Sequence, residues 1–159
     1  MKPFKLTVAL LLGKSGTSQV DVPVVVLNNG VTMPTMLWGS GGSTQDNSTS
    51  TEEAVKVAVS AAVGFPGVDC AHNYHNQDGV SKGIQESGTP RSSLFLMTKV
   101  EPCGNHFIRQ GQCYNDTLAG FDENLALLNT SVVDITLLHS PPCVPNSDWA
   151  DPRCRWLPV

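Results

Sequence analysis

Short apolar runs of strand length alternate along this chain with segments of helical period, and that alternation restricts the fold more than any other feature. Val22 to Pro34 (VPVVVLNNGVTMP) sets two apolar runs on either side of Asn29-Gly30, a strong hairpin signal. Thr35 to Gly39 leads into a loop-like stretch, GSGGSTQDNSTST. Thr51-Glu52-Glu53 predicts a helix start, with a capping hydroxyl and acid in the first turn; small apolar residues follow to Val63, and Gly64 and Pro66 end the helix. Gly67-Val68-Asp69 reads as a short strand. Gln77 to Glu86 reads as a helix with Val80 and Ile84 on one face, and Leu94 to Val100 (LFLMTKV) as a buried strand. Tyr114 to Leu128 is a helix with Leu118, Phe121, Leu125 and Leu128 at helical spacing, and Val132 to Leu138 (VVDITLL) is a last strand. Consecutive βα units require a parallel sheet, and two architectures accept this one: an open doubly wound sheet, or half of an eight-stranded barrel.

Parallel sheets carry their working side chains at the carboxyl ends of their strands, where the connecting loops converge. That rule selects Asp69, Lys99 and His139, each at or just beyond a strand end, and Tyr74 on the loop that follows Asp69. No phosphate-loop fingerprint competes. Gly39-Ser40-Gly41 lacks a third glycine at Thr44, and Gly13-Lys14-Ser15 lacks the preceding glycine at Val8. Taken singly, each selected residue has an ordinary reading: the aspartate as a turn or cap residue, the lysine as a solvated strand end, the histidine as a loop residue. Together they form an acid–base device. A phenol with a pKa of about 10 is a poor donor at neutral pH, and a neighbouring ammonium favours its phenolate. An aspartate holds that ammonium charged, and a histidine can donate to the same carbonyl oxygen. Such a set reduces a carbonyl when something else delivers hydride.

The flanking strings sharpen this reading. LNNGVTMPTMLWGSG resembles the opening hairpin and first strand of the aldo-keto reductase family, and VDCAHNYHNQDGVSKGIQES resembles its aspartate-to-tyrosine signature. LFLMTKV is similar to that family's lysine strand and VVDITLLHSPP to its histidine strand. The resemblance runs from Val22 to Pro142. It implies a partial (β/α)8 barrel, about its first four βα strands, preceded by an N-terminal hairpin. It also implies a tetrad in which Tyr74 donates the proton, Lys99 and Asp69 tune it, and His139 orients the carbonyl. NADPH is the implied cofactor, with Gly39, Ser40 and Asp69 as the surviving contacts, and a small aldehyde or ketone is the implied substrate. The sequence departs from the pattern at His75-Asn76-Gln77, where Gly-Asn-Glu is usual, and at Ser140-Pro141-Pro142, where an aromatic is common. The loop around Cys103 to Cys113 is longer than in compact members.

Composition adds bounds. With 159 residues, 40% hydrophobic and 15% charged, the chain is of ordinary globular type. A net charge of −4 with no dense basic run argues against nucleic-acid binding. Met1 to Lys5 carries two lysines before the apolar Leu6 to Leu12, the outline of a signal or targeting segment and too short to span a bilayer. Cytosolic and secretory or organellar locations both remain open. Five cysteines is an odd count; Cys103 and Cys113 bracket a polar loop that a disulfide would close, and the spacing with His106 lacks paired zinc knuckles, so no metal is expected. Sequons at Asn47, Asn115 and Asn129 matter only on a secretory route.

These readings divide the chain into a leader (1–20), a truncated reductase domain (21–142) and an irregular, proline-rich tail (143–159). A full barrel takes about 250 residues. Half of one exposes two strand edges and an apolar sheet face, so self-association through the open half-barrel is an expectation. Three functional readings follow: an NADP(H)-dependent carbonyl reductase, an inactive or regulatory fragment without a complete cofactor site, and an unrelated α/β binding module.

Overall fold

The computed structural model describes residues 21–101 and 113–139. The leader, most of the Cys103 to Cys113 loop and the tail lie outside them. The elements run β1 (Val24–Val26), β2 (Thr32–Pro34), β3 (Trp38–Gly39), α1 (Ser48–Ala58), β4 (Gly67–Asp69), α2 (Gln77–Glu86), β5 (Phe95–Val100), α3 (Cys113–Leu127) and β6 (Ile135–Leu138).

β1 and β2 form the expected antiparallel hairpin, with Val25 opposite Met33. Its loop holds three residues. Leu27 N–H donates to Val31 O at 2.8 Å, Gly30 N–H donates to Leu27 O at 2.9 Å, and Gly30 takes a φ of 82°. Glycine reaches that left-handed conformation without a Cβ clash, closing a turn with one bulged residue.

β3 to β6 form a four-stranded sheet in chain order, every pair parallel. Among the described residues, each crossover from β3 to β6 carries one α-helix. This is an α/β half-barrel that does not close on itself. Alternation along the strands sends Val68 and Leu96 toward the helices, where they form one core with Val55, Val59, Val80, Ile84, Leu94 and Leu128. Trp38 packs against that core. Asp69, Met97 and Ile135 stand side by side in the register, and Lys99 beside Leu137, on the opposite face.

Two helices depart from their expected form. α1 starts three residues before Thr51, because Asn47 supplies the cap: its side chain accepts from Ser50 N–H at 2.9 Å. It also stops at Ala58 rather than Val63, where the Ser60 hydroxyl donates to Val57 O and the chain turns through Gly64 at φ 81°. α3 has the expected bounds within a residue, but Leu118 is exposed and the buried centre of the helix is Asn124. α3 instead approaches β5 through Gly120, where a Cβ would lie 2.9 Å from Val100.

α1 and α2 pack at Gly79, whose added Cβ would lie 2.2 Å from Ser48 O. β6 begins at Ile135, three residues later than Val132. The Asp134 carboxylate itself takes the Leu96 N–H at 2.7 Å and pairs with Arg91 at 3.0 Å. Arg91 also donates to Leu94 O and Val132 O. This clamp fixes the register of β6 against β5, and so the place where His139 emerges. Among the described residues, no helix is long and apolar enough to cross a membrane.

Candidate active site

Asp69, Tyr74, Lys99 and His139 lie together at the carboxyl-terminal rim of the sheet. Asp69 is the last residue of β4, Lys99 the penultimate residue of β5, and His139 the first residue after β6. The His139 N–H donates to Val100 O at 2.9 Å, continuing the strand ladder by one bond. Tyr74 comes from the turn between β4 and α2, a single 3-10 turn at His72–Tyr74.

Lys99 is the hub. Its Nζ lies 2.5 Å from Asp69 Oδ1, 3.1 Å from Cys70 O and 3.2 Å from the Tyr74 hydroxyl. The lysine side chain is 13% exposed. Burial pulls its ammonium down, but the bonded Asp69 carboxylate and Tyr74 hydroxyl raise it, and the balance lies above the ordinary lysine range. His139 meets the Tyr74 ring edge-on, with centroids 5.5 Å apart at 74°.

The turn that presents Tyr74 is held from both sides. Asn76, buried at its end, shares its two amide hydrogens among Ser40 O at 2.8 Å, Thr44 O at 3.0 Å and Thr51 Oγ1 at 2.9 Å. His75 takes φ 50°, and its ring pairs with Asp46 at 2.7 Å. That is the position where glycine is usual in the resembled signature, and a left-handed conformation is what glycine adopts most easily. His72 pairs with Glu123 of α3 at 2.8 Å. Gly41 gives the phenol its room: a Cβ there would come within 3.0 Å of Tyr74 Cζ.

Behind the rim, Gln77 donates to Thr98 Oγ1 at 2.9 Å and reaches the Cys70 sulfur at 3.8 Å. Burial pushes the Cys70 thiol up to about 11, which leaves it inert as a nucleophile. Gly39 ends β3 in register with Asp69 and faces open space, with nothing within 4 Å of an added Cβ. Ser40 is fully buried, its N–H donating to Asp69 O at 2.9 Å.

The rim also contains a residue that the strand-end rule passed over. Glu101 follows β5 directly and is almost fully buried, with Oε1 2.9 Å from His139 Nδ1. The carboxylate sits off the direction of the ring N–H, so the contact is close without being a straight hydrogen bond. The available signal was register: two parallel strands paired at Val100 and Leu138 bring residues 101 and 139 out side by side. Cys113 is disulfide-bonded, with its partner outside the described residues. No group of three His, Cys, Asp or Glu side chains among the described residues is arranged to hold a metal ion.

The sequence pattern of the Aldo/keto reductase family matches residues 33–147. This chain belongs to the aldo-keto reductase family. Among curated relatives, it is 37% identical over 117 residues to the glyoxal reductase of Bacillus subtilis, a match covering 74% of this chain and 38% of that protein. Among solved structures, it is similar to an aldo/keto reductase from Brucella melitensis, with a TM-score of 0.61 and 34% identity over 74% of this chain and 41% of the other. It is also similar to the Bombyx mori aldo-keto reductase crystallised in complex with NADP, with a TM-score of 0.59 and 27% identity over 75% and 38%. The chain spans less than half the length of these relatives.

Proposed function

We propose that this aldo-keto reductase chain carries the proton-donating half of an NADP(H)-dependent reduction of an aldehyde or ketone to an alcohol. One observation carries the reading: the Lys99 ammonium sits against both the Asp69 carboxylate and the Tyr74 hydroxyl, beside His139.

Each group has a role in this reading. Tyr74 gives its hydroxyl proton to the oxygen that becomes the alcohol. The ammonium 3.2 Å away stabilises the phenolate left behind. Asp69 keeps that ammonium charged and fixed in direction. His139 donates to the carbonyl oxygen and orients it, and a donor already in place costs no reorganisation during the reaction. The buried Gln77–Thr98–Cys70 cluster keeps the floor of the site rigid and dry.

The rim fits the nicotinamide end of the cofactor. Gly39, in register with Asp69, faces open space, and Asp69 is about one-third exposed. Gly39 and Asp69 are the residues that would hold it, and when bound it supplies the hydride. Ser40, fully buried with its N–H donating to Asp69 O and its carbonyl accepting from Asn76, supports that rim from behind instead of reaching the cofactor. For the phosphate end the described residues provide less, because Lys56, Lys82, Arg91 and Lys99 are each already paired with a carboxylate. That observation favours a second reading, a fragment that keeps the acid–base residues without a complete cofactor site.

Titration of the purified full chain with NADPH, followed by cofactor fluorescence, separates the two. Saturable binding that weakens in Asp69→Asn supports the reductase. A folded chain that leaves the fluorescence unchanged supports the fragment.

A further inference from the structure

We infer that Glu101 is a positioning residue for His139, forming a carboxylate–imidazole pair that holds a hydrogen at Nδ1 and leaves Nε2 as the nitrogen that donates to substrate. The inference rests on the reductase reading above and adds to it a residue that acts through the histidine.

The strand ladder sets up the pair. β5 and β6 are parallel, Val100 pairs with Leu138, and His139 N–H donates to Val100 O, so residues 101 and 139 leave the sheet as neighbours. The side chain of Glu101 is 6% exposed and that of His139 is 19% exposed. A carboxylate withdrawn that far from water is unfavourable unless a hydrogen-bonding cation or donor meets it. His139 Nδ1 stands 2.9 Å from Oε1 but off the ring N–H direction, so a small rotation of either side chain completes the bond. The ring also meets Tyr74 edge-on. The imidazole is therefore located between the proposed proton donor and a buried acid.

Proton counting shows why the acid matters. A neutral imidazole carries one N–H, so a ring that spends it on Glu101 through Nδ1 has a bare Nε2, which accepts but does not donate. For Nε2 to donate to a carbonyl oxygen while Nδ1 faces Glu101, the pair must hold one further hydrogen. It lies between Nδ1 and the carboxyl oxygen, and two descriptions are equivalent in composition: imidazolium with carboxylate, or neutral imidazole with carboxylic acid. In both, Nε2 keeps its hydrogen. An amide in place of the acid does the same by a different route, because its NH2 donates to a bare Nδ1 and favours the Nε2–H form of the neutral ring. An aliphatic side chain does neither.

A merely structural role competes: Glu101 also lies near α3, with its backbone carbonyl accepting from Thr117 Oγ1 at 3.4 Å. The full chain is therefore compared with Glu101→Gln and Glu101→Leu by circular dichroism, aldehyde turnover and long-range 1H–15N spectra of the His139 ring. The expected results are a hydrogen-bonded Nδ1 proton, well downfield of the amides, in the wild type and its loss in Glu101→Leu. Turnover falls about tenfold or more in kcat for Glu101→Leu, with KM within about twofold, and recovers to within about threefold of wild type in Glu101→Gln. A Glu101→Leu chain that folds and turns over like the wild type overturns the inference, as does a Glu101→Gln chain no better than Glu101→Leu. If the wild type shows no turnover at all, the reductase reading fails by itself. The ring spectra of the free chain then decide: absence of the downfield proton refutes the pair, and its presence supports it.

Discussion

Lys99 Nζ reaches Asp69 Oδ1 at 2.5 Å although the two residues are offset by two positions in the register, Asp69 standing opposite Met97. The lysine therefore leans back along its neighbouring strand to find its counter-charge, and Tyr74 lies on that path. Asp69→Asn leaves a largely buried ammonium with a neutral partner. A loss of roughly 1–2 kcal/mol in stability is expected, between the values for surface and buried pairs. Any aldehyde turnover should fall more steeply than that, by about 10-fold or more, because the ammonium is no longer fixed. Urea unfolding and steady-state kinetics on the same variant check both.

Alkaline pH should destabilise the protein through two groups acting with the same sign. The Cys70 thiol, held at about 11 by burial, stays protonated after the unfolded chain has begun to lose its proton near the ordinary value of 9.0. The unfolded state then binds fewer protons, and stability falls as pH rises through that window. Lys99, raised by its partners, contributes stability that is complete below the ordinary value of 10.5 and is lost as pH rises through its folded value. Urea midpoints measured from pH 7 to pH 11 should be flat before declining. Cys70→Ala should move the onset of the decline upward.

Cys70 should also resist modification. Iodoacetamide at pH 8, followed by peptide mass spectrometry, is expected to leave Cys70 unlabelled in the folded chain and to label it in urea. Rapid labelling without denaturant would show that the site floor is open to water, against the burial of Cys70 and Gln77.

The helix crossing at Gly79 gives a stability prediction independent of chemistry. A methyl there meets Ser48 O at 2.2 Å, backbone that cannot rotate away, so α1 and α2 must separate. Gly79→Ala should lower stability by roughly 1–3 kcal/mol, read as a lower Tm. Gly41→Ala is the contrasting case, since its methyl meets the Tyr74 ring rather than backbone. Its Tm should change little, while turnover falls as the phenol shifts.

Much of this fold is legible in the sequence where one local signal acts alone. α2 occupies the expected residues because Val80 and Ile84 define a face between a polar turn and Gly88. The start of α1 is not legible, because Asn47, Ser48, Ser50 and Thr51 are all able caps, and only the folded chain shows that Asn47 is the one bonded to a free N–H. The apolar run predicts a longer β6 than the fold has, because the Asp134 carboxylate takes a backbone bond where a strand residue is expected. The strand-end rule selects Asp69, Lys99 and His139 without any knowledge of pairing, and Tyr74 enters as the residue on the loop after Asp69. Glu101 was missed because its partner lies 38 residues away, across a register that no local pattern encodes.

In the proposed reduction the Tyr74 hydroxyl, set against Lys99, supplies the proton. The most direct test of this role is the rate of NADPH-dependent aldehyde reduction by the full chain, compared with Tyr74→Phe, a change that removes one oxygen atom. A fall of about 10²-fold or more, with circular dichroism unchanged, is the expected result. An active wild type matched in rate by Tyr74→Phe would mean that the proton comes from another group.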